Sequence, residues 1–358
     1  MPRPIPPPKP SIEALTAAYR NGVLEILARL EFLASRDRSD AAARAALRET
    51  KATLAQLDQY VDRWIEQYVP AAYSEGWDRG LDSTLYAVPD SLRGQVQYSQ
   101  FAQLHRQAIE VMAYNMQEAV KAATATMGRK VDDVFRRVGL EQTMARLFTG
   151  ETVRDSAGAM KERLILSGLD SFKDKAGRVW RLDNYCSMVA RTTTREATTL
   201  GTLNRARASG YHLIRMSEHQ PTCGHCAPLQ GIVYSLDLKD KRYPMWQDDF
   251  CPVHPRCRHT ISIYVEHMDP NAEELQQKSQ RDLNTDPRSE AEKRAYDSIQ
   301  AGNKQLNETR RQYERYVARL GTENVGTIQN FARSKRLNTD RYQELLGLFR
   351  EAGSIAGG

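Results

Sequence analysis

Two closely spaced pairs carry the chemistry legible in this chain: Cys223-x-x-Cys226 and His254-x-x-Cys257. A Cys-x-x-Cys turn lets both sulfurs point into one space and supplies half a tetrahedron, and a second short pair on a separated segment supplies the other half. Thiolates combined with imidazole suit zinc. Cys251 and His259 flank the second pair, so six residues compete for four places. The expected ligands are Cys223, Cys226, His254 and Cys257, with Cys251 and His259 as alternates, and the expected cofactor is a structural zinc. His225 lies inside the first turn and is expected to face solvent. Cys186 stands apart, whereas five of the seven histidines fall between His219 and His267, in or beside the cysteine cluster. Clustered Cys and His in a reducing compartment argue for a metal before a disulfide.

Other chemistries fit less well. A zinc nuclease would find a base in His219, His259 or His267, but a catalytic metal needs an open coordination position, and here the donors suffice to close the shell. A zinc deaminase requires H-x-E upstream of its P-C-x-x-C, and no suitable motif precedes Cys223. No G-x-S-x-G marks a hydrolase. The knuckle also lacks the spacing of a Cys2His2 DNA-reading finger. No catalytic residue is assigned and the chain is expected not to be an enzyme. The alternatives held against that expectation are a metal-dependent nuclease and a zinc-containing DNA-binding protein.

The elements that must position these donors can be read along the 358 residues. Residues 1–10 are mostly proline and read as an extended arm. From Ser11, placed as an N-cap, Ile12, Leu15, Tyr19, Val23, Ile26, Leu30 and Leu33 repeat at helical spacing. A second helical run covers about 39–68 and is expected to end at Pro70. A third covers about 97–127 with a stripe of Leu104, Ala108, Met112, Met116 and Val120. Residues 11–149 therefore read as an α-helical domain. Helical character continues through about 151–167, and a further helix over about 184–208 stops at Gly210. Short β-prone runs follow at Tyr211 to Met216, Ile232 to Leu236 and Thr260 to Val265, so 150–268 reads as a small α+β domain holding the Cys/His knuckle. Beyond Pro270 the chain is polar and helical again, and 269–358 reads as an extension. The predicted fold class is α+β, predominantly helical.

The formal net charge of +6 permits a polyanionic partner without demanding one. A local concentration is more telling: Arg178, Arg181, Arg191, Arg195, Arg205, Arg207 and Arg215 face only Asp183 and Glu196 over the same stretch. Arg191, Arg195 and Arg205 are the candidate contacts to nucleic acid or to a partner protein. No apolar run is long enough for a membrane helix and the first residues lack the apolar core of a signal peptide, so no membrane partner and synthesis in a cytoplasm are expected.

The stretch SGLDSFKDKAGRVWRLDNYCSMVARTTTREATTLGTLNRARASGYHLIRMSEH, followed by CGHCAPLQGIVYSL and a Tyr-Pro before HPRCRH, resembles the phage minor capsid protein 2 family, related to Mu F-like and SPP1-type head morphogenesis proteins. The close likeness covers about 150–268; the helical region before it fits more loosely. Cys251, in Phe-Cys-Pro, departs from the family pattern. The resemblance implies a structural protein of a tailed-phage virion or procapsid, lodged in the head interior near the portal. It implies portal or major capsid proteins as partners and packaged DNA as a further, non-specific contact.

Overall fold

A computed structural model describes residues 11–36, 40–85, 103–149, 171–173, 179–237 and 240–355. The Pro-rich arm and the expected helix over 151–167 lie outside the described residues. The fold is α+β and mostly helical.

The first three helices are α1 (Ile12–Arg36), α2 (Asp40–Leu85) and α3 (Gln103–Thr149). Ser11 Oγ accepts from Ala14 N at 3.0 Å, which caps α1 as its sequence predicts. Ile12, Leu15, Tyr19 and Ile26 of α1 pack against Leu57, Val61, Trp64 and Tyr73 of α2 and Met116, Val120, Met127 and Val131 of α3. The helix expected to stop at Pro70 runs on to Leu85. A proline inside a helix costs about 3 kcal/mol. Burial of Val69, Tyr73 and Trp77 just beyond and before it offsets that, at roughly 1.5–3 kcal/mol for each large apolar side chain.

A two-stranded ribbon, β1 (Ser171–Lys173) with β2 (Val179–Arg181), leads into α4 (Leu182–Ala208). This helix serves two cores. Leu182, Cys186, Ala190 and Ala197 enter the helical core, whereas Leu203 and Ala206 enter the core of the sheet. It crosses α2 at very short range. A Cβ added to Gly201 would stand 2.3 Å from the Tyr73 carbonyl oxygen, and one on Gly76 2.0 Å from that of Thr198. Only glycine permits that approach. It lets Thr198 and Thr202 donate their hydroxyls to the carbonyls of Ala72 (3.3 Å) and Gly76 (2.8 Å). Gly210, with φ +75°, turns the chain after α4 as expected.

The three β-prone runs form β3 (Leu213–Met216), β4 (Val233–Ser235) and β5 (Ile261–Ile263), antiparallel, with β3 in the middle. Downstream, α5 (Ala272–Ser279) lays Leu275 on the other face of the sheet, against Leu213, Val233 and Tyr264. Then α6 (Glu290–Leu320) begins with a capping box of Ser289 and Glu292. Residues 297–308 of α6 are exposed on every side. Its last turns, however, bury Tyr316 with Val325 of α7 (Thr322–Val325), Phe331 of α8 (Ile328–Leu337) and Leu345 of α9 (Asp340–Ile355). The polar extension thus carries a small core of its own. Arg181 pairs with Glu314 and ties α6 back to β2.

Candidate metal centre

Strand register brings the two ligand pairs together. Met216 at the end of β3 lies opposite Ile261 at the start of β5, so the loop leaving β3 and the loop entering β5 begin side by side. Ser217 N donates to Thr260 O at 2.8 Å, and Thr260 N to Ser217 Oγ at 2.9 Å. The first loop carries Cys223 and Cys226 in a tight turn closed by Ala227 N to Cys223 O (3.0 Å). The second carries His254 and Cys257, closed by Cys257 N to His254 O (3.0 Å), with Arg256 at φ 66° in the left-handed region.

Five donor side chains converge. His254 Nε2 lies 3.2 Å from Cys223 Sγ and 3.3 Å from Cys226 Sγ; Cys226 Sγ lies 3.9 Å from Cys257 Sγ; and Cys257 Sγ lies 3.5 Å from His259 Nδ1. Two triads result, Cys223–Cys226–His254 and Cys226–Cys257–His259, which share Cys226. Sulfur and nitrogen donors around one tetrahedral zinc stand roughly 3.5–3.8 Å apart, given bond lengths of about 2.3 and 2.0 Å. The observed separations are of that size.

Each imidazole is turned to offer a lone pair. His254 Nδ1 donates to the Pro255 carbonyl at 2.8 Å, which leaves Nε2 free towards the sulfurs. His259 Nε2 donates to Gln230 Oε1 at 2.8 Å, and that oxygen also accepts from His219 N at 3.1 Å, which fixes the amide's orientation. His259 Nδ1 is thereby left towards Cys257. Such outer hydrogen bonds set tautomer and ring angle in metal sites.

The charge state matches. Hydrogen bonds from Cys226 hold the Cys223 and Cys257 thiols far below the ordinary thiol range, with His254 adding to the effect at Cys223. The same contacts push the Cys226 thiol up. His254 is pushed up to about 9 by its hydrogen bond with Cys223. Negative charge is thus concentrated among three sulfurs, which a divalent cation would compensate.

Cys251 is not among the converging groups. Its thiol is buried in the sheet core, accepts from Thr199 Oγ1 at 3.5 Å and donates to the His259 carbonyl at 3.3 Å. Burial pushes its pKa up to about 11. All five cysteines are free, and Cys186 is buried in the helical core. His225 is exposed, as its place in the turn suggests.

The three candidate contact arginines part company. Arg191 is exposed and pairs with Glu13 at 3.1 Å. Arg195 is half-buried. Arg205 is only 6% exposed and lies 5.3 Å over the Trp77 ring, so it presents no surface to a phosphate. The second half of α4 is wedged between α2 and the sheet, and the same helix face that is free at Arg191 is covered there.

Two further arginines hold the knuckle, and both come from the C-terminal extension. Arg281 donates to the carbonyls of Pro228 (2.8 Å), Ala227 (3.1 Å) and Gln230 (2.5 Å). Arg288 donates to Thr222 O at 2.8 Å, is held by Asp286 and lies 5.6 Å over Tyr296. No local pattern marks either residue in the sequence.

The profile of the phage minor capsid protein 2 family matches residues 41–347, from α2 into α9. The likeness is therefore wider than the 150–268 stretch that carries its most visible motifs, and takes in most of the C-terminal extension. No curated protein and no solved structure matches the chain.

Proposed function

Because this chain belongs to the phage minor capsid protein 2 family, we propose that it is a structural, non-catalytic protein of a tailed-phage head, sited in the head interior near the portal. Its family makes it a virion component with other virion proteins as partners; the portal and the major capsid protein are the partners proposed. Among the described residues no helix is long and apolar enough to cross a membrane.

We further propose that the knuckle holds one structural zinc through Cys223, Cys226, His254 and Cys257. The observation that carries this is the meeting of two ligand pairs at one end of the sheet, with His254 within 3.3 Å of two sulfurs. His259 touches one sulfur and stands as a fifth, reserve donor. With more donors than places, the shell favours closure, and a closed shell suits scaffolding better than catalysis. The zinc, when bound, would cross-link the two loops; the protein's own part is to orient both imidazoles and to brace the first loop with Arg281 and Arg288.

Mass spectrometry of purified procapsids and virions should detect the protein at a fixed copy number. Metal analysis of protein purified without added zinc should return one zinc per chain. Absence from both particles would overturn the head assignment, and metal-free protein with an unchanged melt under chelator would overturn the zinc.

A further inference from the structure

On α4, Asn184, Arg191, Arg195 and Thr199 recur at seven- and four-residue intervals and so share one helix face. The second knuckle loop lies along that face. Arg256 Nη2 donates to the Asn184 carbonyl at 3.1 Å, and Cys251 meets Thr199 at 3.5 Å further along. The loop's own cations, Arg256 and Arg258, are exposed on either side of Cys257. Two arginines from a helix and two from a loop are thus gathered beside the knuckle.

The electrostatics agree with that placement. Few acids answer these arginines. Glu13 meets Arg191 in an exposed pair of the kind that salt weakens. Asp183, near Arg256, is already shared by Arg20 (3.2 Å) and Arg181 (3.3 Å). Glu196 stands about 100° round the helix from Arg195. Among the described residues Arg195, Arg256 and Arg258 have no ion-pair partner. No large apolar side chain is exposed over 184–199 or 251–259. A protein-binding patch would be expected to carry apolar or aromatic anchors, whereas a polyanion needs only cations.

We infer that Arg191, Arg195, Arg256 and Arg258 form a surface that holds the phosphate backbone of duplex DNA without reading its sequence. The biological setting rests on the head-interior reading above; the chemistry of the surface does not. Because Arg256 and Arg258 bracket a metal-ligand position, the loop that closes the knuckle is also the loop that completes the surface.

The test is fluorescence anisotropy of the full-length, zinc-loaded protein with a labelled random-sequence duplex across a salt series. Each phosphate neutralised contributes a slope of about −0.9 in log K against log salt. Four contacts give about a 150-fold loss of affinity between 50 and 200 mM salt, and two contacts about 12-fold. The double variant Arg256→Gln/Arg258→Gln should fall from the first figure to the second. Arg195→Gln, on α4 and not on the loop that carries the ligands, should lower the slope by about 0.9. Arg333→Gln/Arg336→Gln, on exposed positions of α8, should change nothing. Zinc content is measured for every variant. A slope unchanged in Arg195→Gln and in a zinc-loaded double variant would overturn the inference, as would an equal loss in the α8 control. So would polyglutamate displacing the duplex as well as unlabelled DNA of equal charge, which would point to an acidic protein instead. DNA binding of the expected form by a protein absent from virions and procapsids would sink the head reading and leave this surface standing.

Discussion

Replacing Cys226 with serine should damage the knuckle more than any other single ligand change. Its sulfur belongs to both donor triads, with His254 at 3.3 Å on one side and Cys257 at 3.9 Å on the other. No spare donor can take its place. His254 differs, because His259 is already oriented by Gln230 and stands 3.5 Å from Cys257. Structural zinc contributes roughly 10–16 kcal/mol of apparent binding energy, or about 2.5–4 kcal/mol for each of four ligands. Cys226→Ser should therefore weaken zinc binding by about 70- to 900-fold. His254→Ala should lose about tenfold as His259 swings in, and the His254→Ala/His259→Ala double variant should fall to the level of Cys226→Ser. Cys251→Ser should keep its zinc, because that thiol faces Thr199 and the His259 carbonyl. The assay is competition with a chromophoric chelator, with thermal melts alongside. The reasoning fails if His254→Ala alone is as damaging as Cys226→Ser, or if Cys251→Ser releases the metal.

Two further changes probe the supports. Arg281→Ala removes three donations to knuckle carbonyls; a hydrogen bond involving a charged group contributes about 1.5–3 kcal/mol net, and the three share one half-exposed guanidinium and do not add in full. A net loss of about 2–4 kcal/mol in denaturant unfolding, with faster zinc release to chelator, is expected; an unchanged release rate would return Arg281 to a surface role. Gly201→Ala should be far worse than an ordinary surface change, since the added carbon would meet the Tyr73 carbonyl at 2.3 Å and force α4 away from α2. A drop of about 3 kcal/mol or more in stability, read by circular dichroism melts, is the expected outcome, and a melt within a degree of the parent would show that the helices cross more loosely than described.

Periodicity made much of the fold legible. The α1 stripe from Ile12 to Ile26, the end of α4 near Gly210 and the three short strands all follow from spacing and turn chemistry that act within a few residues. The convergence of the two ligand pairs was also foreshadowed, because short Cys and His spacings are themselves local. What escaped was set by distant partners. Pro70 reads as a stop until the burial of its neighbours against α4 is known. Arg205 reads as a twin of Arg191 until Trp77 and the sheet cover it. Arg281 and Arg288 look like ordinary charges in a polar run, because their acceptors are backbone carbonyls more than fifty residues away. The expected helix over 151–167 lies outside the described residues.

Helix α6 is pinned near both ends and bare between them. Arg288, just before its cap, holds the knuckle at Thr222, and Glu314 holds Arg181 beside β2. The intervening rise is about 38 Å at 1.5 Å per residue. Along 297–308 no side chain is buried, so the identities of those residues are weakly constrained. Their number is not. Removing one residue would shorten the span by about 1.5 Å and rotate everything beyond it by about 100°, carrying Glu314 off the side that faces Arg181. The bare stretch behaves as a ruler: tolerant of spelling, intolerant of miscounting, and setting where the C-terminal helices stand relative to the knuckle.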